Sequence, residues 1–101
     1  MELSNHGREF YALQITTTTS DGVPIPLSGW EASFDRGVTW DATVVRNLED
    51  EDWATWLVAG ADAAVGTAVA VITRNTQPLV RAIDNPEILV DRAPVITILN
   101  N

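Results

Sequence analysis

The side chains able to do chemistry in this chain are few and poorly spaced for it. His6 is the one histidine, so a Ser-His-Asp triad would have to use it. It sits in a polar N-terminal segment and belongs to no motif. Cysteine is absent, which removes disulfides, zinc–thiolate sites and thiol nucleophiles. Glu49-Asp50-Glu51-Asp52 supplies the oxygens that a hard cation such as calcium takes. Four consecutive acids nevertheless lack the spaced, glycine-containing arrangement of an EF-hand loop. They read as a solvated acidic loop suited to docking on a basic partner. Gly22, Gly29 and Gly37 form no phosphate-cradling loop. Carboxylates are numerous, but sequence does not place two of them across a cleft. The expectation is a protein that is not an enzyme, with no catalytic residues, no cofactor and no metal.

One motif has chemistry-bearing residues at a fixed spacing. Ser33-x-Asp35-x-Gly37-x-Thr39-Trp40 matches the Asp-box pattern S-x-D-x-G-x-T-W at every fixed position. It resembles hairpins of sialidases and of many other β proteins, where the box is structural. The resemblance implies that Ser33 and Asp35 brace the turn, Gly37 takes the strained position and Trp40 packs below. It does not imply glycosidase activity, because a propeller needs several four-stranded blades and this chain has room for one or two. Trp30, Trp40, Trp53 and Trp56 could stack on sugars if exposed. Such residues more often fill a small core or anchor an interface.

These residues must be positioned by strands. Glu9 to Thr19 alternates with a period of two through Tyr11, Leu13 and Ile15, and ends in four β-branched threonines. Ser20-Asp21-Gly22 marks a turn. Pro24 and Pro26 cannot donate to a ladder, which puts Val23 to Leu27 at an edge or in a loop. Trp30 to Phe34 and Val38 to Arg46 flank the Asp35-Arg36-Gly37 hairpin turn, with Val38, Trp40, Ala42 and Val44 expected on one face. Leu48 to Asp52 is an acidic connection. Trp53 to Ala59 fits a strand better than a helical turn that would group Trp53, Trp56 and Leu57. Gly66 to Arg74 is a further strand, reached through the small-residue loop Gly60 to Val65. Asn75 to Pro78 turns the chain. Leu79 to Ile83 and Ile88 to Val90 flank a second hairpin turn at Asp84-Asn85-Pro86-Glu87. Asp91 to Pro94 breaks the chain, and Val95 to Leu99 is the last strand. Seven or eight short strands at this spacing predict an all-β sandwich or barrel. The domain is expected over 9–101, preceded by an N-terminal arm over 1–8.

Length and composition agree with one globular core. The 101 residues are 46% hydrophobic and 20% charged, too apolar for a disordered chain. No run of about 20 apolar residues offers a membrane span. The N-terminus lacks the apolar core of a signal peptide. Together with the missing cysteines, this points to the cytoplasm or to assembly inside a cell. The net charge of -8 argues against binding nucleic acid through its phosphates. All six basic residues are arginine. That fits a GC-rich coding sequence, and equally a preference for planar, bidentate contacts to carboxylates at interfaces.

Two phrases resemble a known family. Asp21-Gly22-Val23-Pro24-Ile25-Pro26-Leu27-Ser28-Gly29-Trp30 is similar to the "DGxPxDLTG" opening of small immunoglobulin-like β-sandwich proteins of tailed bacteriophages. Val80 to Ile98 (VRAIDNPEILVDRAPVITI) resembles the "VRVTDNPEVPVRxxGTLTI" ending of such proteins in phages of actinobacteria. Pro26 stands where the family carries an acid, and Pro94 lies near the position of its usual glycine. The resemblance implies a single immunoglobulin-like antiparallel β-sandwich and a virion structural protein assembled in the host cytoplasm. A capsid decoration or cement protein on the major capsid protein is the first expectation. A head–tail connector or tail-associated protein is the second, and a carbohydrate-binding module or hydrolase fragment stands further off. Other virion proteins and further copies of the chain are the expected partners, with neither nucleic acid nor membrane. Trp53, Trp56, Arg74 and Arg81 are the candidate interface residues.

Overall fold

The longest strand sets the register of the molecule. In the computed structural model, which describes residues 1–15, 22–63, 66, 68–90 and 93–99, ten residues from Glu51 to Gly60 form one strand. In chain order the strands among the described residues are β1 (Glu2–Ser4), β2 (Arg8–Leu13), β3 (Trp30–Ser33), β4 (Asp41–Ala42), β5 (Val44–Leu48), β6 (Glu51–Gly60), β7 (Ala70–Ile72), β8 (Leu79–Ala82) and β9 (Thr97–Leu99). A short 3-10 turn, Leu27–Gly29, precedes β3. β6 is flanked by β2 on one side and by β5 and then β7 on the other. The second sheet has the order β4-β3-β8, and β1 pairs with β9.

The two larger sheets close over one core. Period-two alternation turns Ala54, Trp56 and Val58 of β6 inward, each at most 1% exposed. Tyr11 and Leu13 of β2 stand directly across from Trp56 and Ala54. Trp30 and Ala32 of β3, Val80 and Ala82 of β8, and Leu3, Ile72 and Ile96 complete the cluster. Tyr11 meets Phe34 edge-on with centroids 5.7 Å apart, and its hydroxyl donates to the Pro94 carbonyl at 2.7 Å. Burial pushes the Tyr11 phenol well above its ordinary range. The Trp30 indole N–H is buried without a partner among the described residues.

The sandwich is as expected, and its strands differ from expectation in several places, one being that the strand expected over Gly66 to Arg74 is confined to Ala70–Ile72 among the described residues. The chain over 38–46 is not one strand. Thr43 switches it between sheets, donating its N–H to the Trp30 carbonyl in one (3.1 Å) and its hydroxyl to the Thr55 carbonyl in the other (3.3 Å). Val38 therefore stands 82% exposed at the hairpin rather than on a face shared with Trp40, Ala42 and Val44. The acidic segment 48–52 is not a loop. Glu49 and Asp50 alone make the turn, with φ of 53° and 65°, the paired positive values of a type I′ hairpin. Glu51 and Asp52 already belong to β6. Residues 1–8 are not a separate arm, because β1 pairs with β9 in parallel and Leu3 is fully buried. Finally, β2 ends at Leu13. The threonine run and Ser20-Asp21 lie outside the described residues, as do Ala64, Val65, Asp91 and Arg92. Among the described residues the extra β1 and the split at Thr43 add two strands to the eight expected, and Ile88 to Val90 forms an isolated bridge instead of a strand, which leaves nine. The Ile88–Val90 segment bonds to β8 through Arg81↔Leu89 and through Val90 N–H to Val80 O at 2.8 Å.

Candidate functional site

The Asp box is built within eight residues at the end of β3. The Ser33 hydroxyl, 1% exposed, accepts the Gly37 N–H at 2.7 Å and donates to Asp35 Oδ1 at 2.7 Å. Asp35 Oδ1 also accepts the Thr39 N–H at 2.8 Å. The Thr39 N–H, followed by hydrogen bonds from the Ser33 and Thr39 side chains, lowers the Asp35 carboxyl to about 2. Gly37, at φ 90°, supplies the left-handed position that a side chain would strain. Its carbonyl accepts the Trp40 indole N–H at 3.0 Å. Ser33 and Asp35 thus bond to each other and to the backbone of their own turn. A carboxyl held near 2 stays ionised at neutral pH and has no proton to donate as a general acid.

The outer face of the β4-β3-β8 sheet is locked in the same self-contained way. Arg81 stacks on Trp40 at 3.6 Å from the ring centroid. Its Nε donates to Glu31 Oε2 at 2.7 Å, across the β3–β8 register pair Glu31↔Arg81. Arg81 is therefore committed within the chain. Trp56 is in the core, donating its indole N–H to the Asp41 carbonyl at 2.8 Å, and is not a surface contact. Trp53 lies on the opposite face of β6, half-buried, with its N–H on the Leu48 carbonyl at 3.2 Å. Arg74 is exposed after β7. The structure does not gather Trp53, Trp56, Arg74 and Arg81 into one surface. The period-two geometry of a strand separates Trp53 from Trp56, and Arg81 faces outward from the other sheet.

What the sequence did not reveal is the outer face of the β2-β6-β5/β7 sheet. Cross-strand register puts Phe10 beside Leu57, Thr55 between Ala12 and Val44, and Arg46 beside Trp53. The pairing of β7 adds Val71 beside Ala59, and the Val69 N–H binds the Leu57 carbonyl. Phe10 is 40% exposed, Val44 53%, Val69 40% and Val71 43%. The Arg46 guanidinium lies 4.8 Å above the Phe10 ring. Beside it is a cleft of about 230 Å³, lined by Phe10, Val44, Arg46, Leu57 and Val69 with their neighbours. A solvated face of an antiparallel sheet ordinarily alternates to polar residues, and this one does not. The available signal was that apolar residues occupy both parities of the β2 and β6 sequences.

Among the described residues, no group of three or more His, Asp or Glu side chains is arranged to hold a metal ion. None of their helices is long and apolar enough to cross a membrane. No family model, curated protein or solved structure matches the chain.

Proposed function

We propose that this chain is a structural protein of a tailed-bacteriophage virion, a capsid decoration or cement protein that docks on the major capsid shell through the outer face of its larger sheet. The observation that carries this is the run of exposed Phe10, Val44, Val69 and Val71 on a sheet whose other face already fills the core. A contiguous apolar surface rimmed by polar groups is characteristic of interaction sites. The two sequence phrases that resemble phage sandwich proteins supply the kind of assembly. Burial stabilises by about 25 cal/mol per Å² of apolar surface before association costs are subtracted. Symmetry-repeated contacts then reinforce one another through avidity.

The carbohydrate-binding alternative is not favoured. Trp30 and Trp56 are buried, Trp40 carries Arg81 on its ring, and Trp53 is half-buried with its N–H engaged. The test is quantitative mass spectrometry of purified particles of the phage that encodes the chain, counted against the major capsid protein. Hundreds of copies are expected. A ring-sized number, about six or twelve, moves the protein to the neck or tail. Its absence from particles overturns the proposal.

A further inference from the structure

A second cleft, of about 230 Å³, lies between the segment 23–26 and the end of β8, and it shares no lining residue with the cleft on the docking face. Val23, Pro24, Ile25, Pro26 and the core residue Ala82 make its lining apolar, and Asp84 adds the one charged side chain. Asp84 is exposed and has no ion-pair partner among the described residues. The lining is fixed before anything binds. Pro24 and Pro26 lock their own φ. The Gly29 N–H donates to the Pro26 carbonyl at 2.9 Å, and the Ile83 N–H donates to the Gly29 carbonyl at 2.9 Å, which ties the segment to β8. Gly29 also leaves room. A Cβ there would stand 3.1 Å from Ile25 Cγ2 and 3.7 Å from the Pro26 ring. The φ of Gly29 lies outside the left-handed region, so the backbone itself does not demand glycine. What glycine supplies here is space among the lining residues.

We infer that this cleft is a binding site for a cation carried on a short aliphatic stem, an alkylammonium or alkylguanidinium group. The stem displaces water from Val23, Ile25 and Ala82, and the head meets Asp84 in a charge-assisted hydrogen bond. An anion is repelled by Asp84 and by the net charge of -8, which draws cations toward the chain. A neutral apolar molecule fills the walls and leaves the carboxylate unused. The volume suits a short stem and a small head, not a drug-sized ligand. The inference does not depend on the assembly role proposed above.

The test titrates the isotope-labelled full chain with n-butylammonium chloride and follows its backbone amides by NMR. Saturable shifts centred on Gly29, Ala82 and Asn85 are expected. n-Butanol, the same stem without the charge, and ammonium, the head without the stem, are each expected to bind about tenfold more weakly or worse. Asp84→Asn, at an exposed position, is expected to weaken n-butylammonium about tenfold. Gly29→Ala is expected to weaken it at least as much, by filling space between Ile25 and Pro26. Glu49→Gln, the same loss of charge at the acidic turn, is expected to change nothing. Urea midpoints establish that the variants fold, and if Gly29→Ala does not, Asp84→Asn decides. Ammonium binding as well as n-butylammonium, or Glu49→Gln weakening it as much as Asp84→Asn, reduces the effect to general attraction to an acidic protein and overturns the inference. n-Butanol binding as well as n-butylammonium, or shifts that do not saturate, also overturn it. N-acetyl-lysine N-methylamide then distinguishes the source of the cation. Binding that depends on Asp84 supports the site as a receptor for a basic side chain of a neighbouring chain, and its exclusion while n-butylammonium binds supports a site for a free amine.

Discussion

Trp56 and Trp53 are separated by two residues in sequence and by the full thickness of a sheet in space, and truncating each to alanine should have very different consequences. Trp56 is 1% exposed, lies 6.3 Å from the Tyr11 ring centroid and bonds the Asp41 carbonyl. Removing a buried tryptophan costs about 3–5 kcal/mol in lost transfer energy and cavity formation. Leaving the Asp41 carbonyl without its donor adds about 1 kcal/mol, for a total of about 4–6 kcal/mol. Trp53 is half-buried, and its indole bonds an edge carbonyl at 3.2 Å. About half the transfer term and one weak hydrogen bond give about 1–2 kcal/mol. A domain of this size has only about 5–15 kcal/mol in all. Trp56→Ala should therefore be barely folded at 25 °C, while Trp53→Ala remains folded. Urea unfolding followed by far-UV circular dichroism avoids the changed fluorescence, with equal slopes licensing comparison of midpoints. Equal shifts for the two variants, or a loss below about 1.5 kcal/mol for Trp56→Ala, would refute the assignment of Trp56 to the core. The outcome also decides how binding data are interpreted, since reduced occupancy of Trp56→Ala reports folding and that of Trp53→Ala reports the face.

Two further outcomes follow from the backbone and the Asp box. Gly60→Ala places a Cβ about 2.5 Å from the Asn5 carbonyl oxygen, and the β1–β2 turn must move. That threatens the Gly60 N–H to Gly7 O and Asp62 N–H to Asn5 O bonds, 2.9 and 2.8 Å long, and a loss of about 2–4 kcal/mol is expected by urea titration. Asp35 has a folded-state value of about 2 against an ordinary 3.8, so its stabilising contribution is complete above pH 3.8 and disappears as pH falls through about 2. Melting temperatures of wild type and Asp35→Asn should accordingly differ by a constant amount from neutral pH to about 5 and converge toward pH 2. A gap that persists at the acid end would show that the carboxylate charge is not what braces the turn.

How much of this was legible in the sequence follows from the range of each contact. The Asp box closes between residues 33 and 40, and its residue types specify its own hydrogen bonds, so the motif was sufficient. β6 was legible as a strand over Trp53 to Ala59, but apolar residues at both parities hid which of its faces is buried. The β1–β9 pairing was not legible, since a parallel pair between residues 2–4 and 97–99 leaves no local turn signal. The Glu49-Asp50 turn was hidden by its composition, because positive φ at both central positions normally selects asparagine, aspartate or glycine. The sheet switch at Thr43 has no signature in a run that otherwise reads as one strand. The docking face required register, which places Arg46 within reach of Phe10 across an intervening strand.

The proposed role requires the outer face of the larger sheet to be covered in the assembled particle, and hydroxyl-radical footprinting of free and particle-bound protein measures this directly. The expected result is severalfold protection of Phe10, Val44, Leu57 and Val69 on assembly, with Val38 and Trp40 oxidised at the same rate in both states. Protection of Val38 and Trp40 with Phe10 and Val44 unchanged would contradict it.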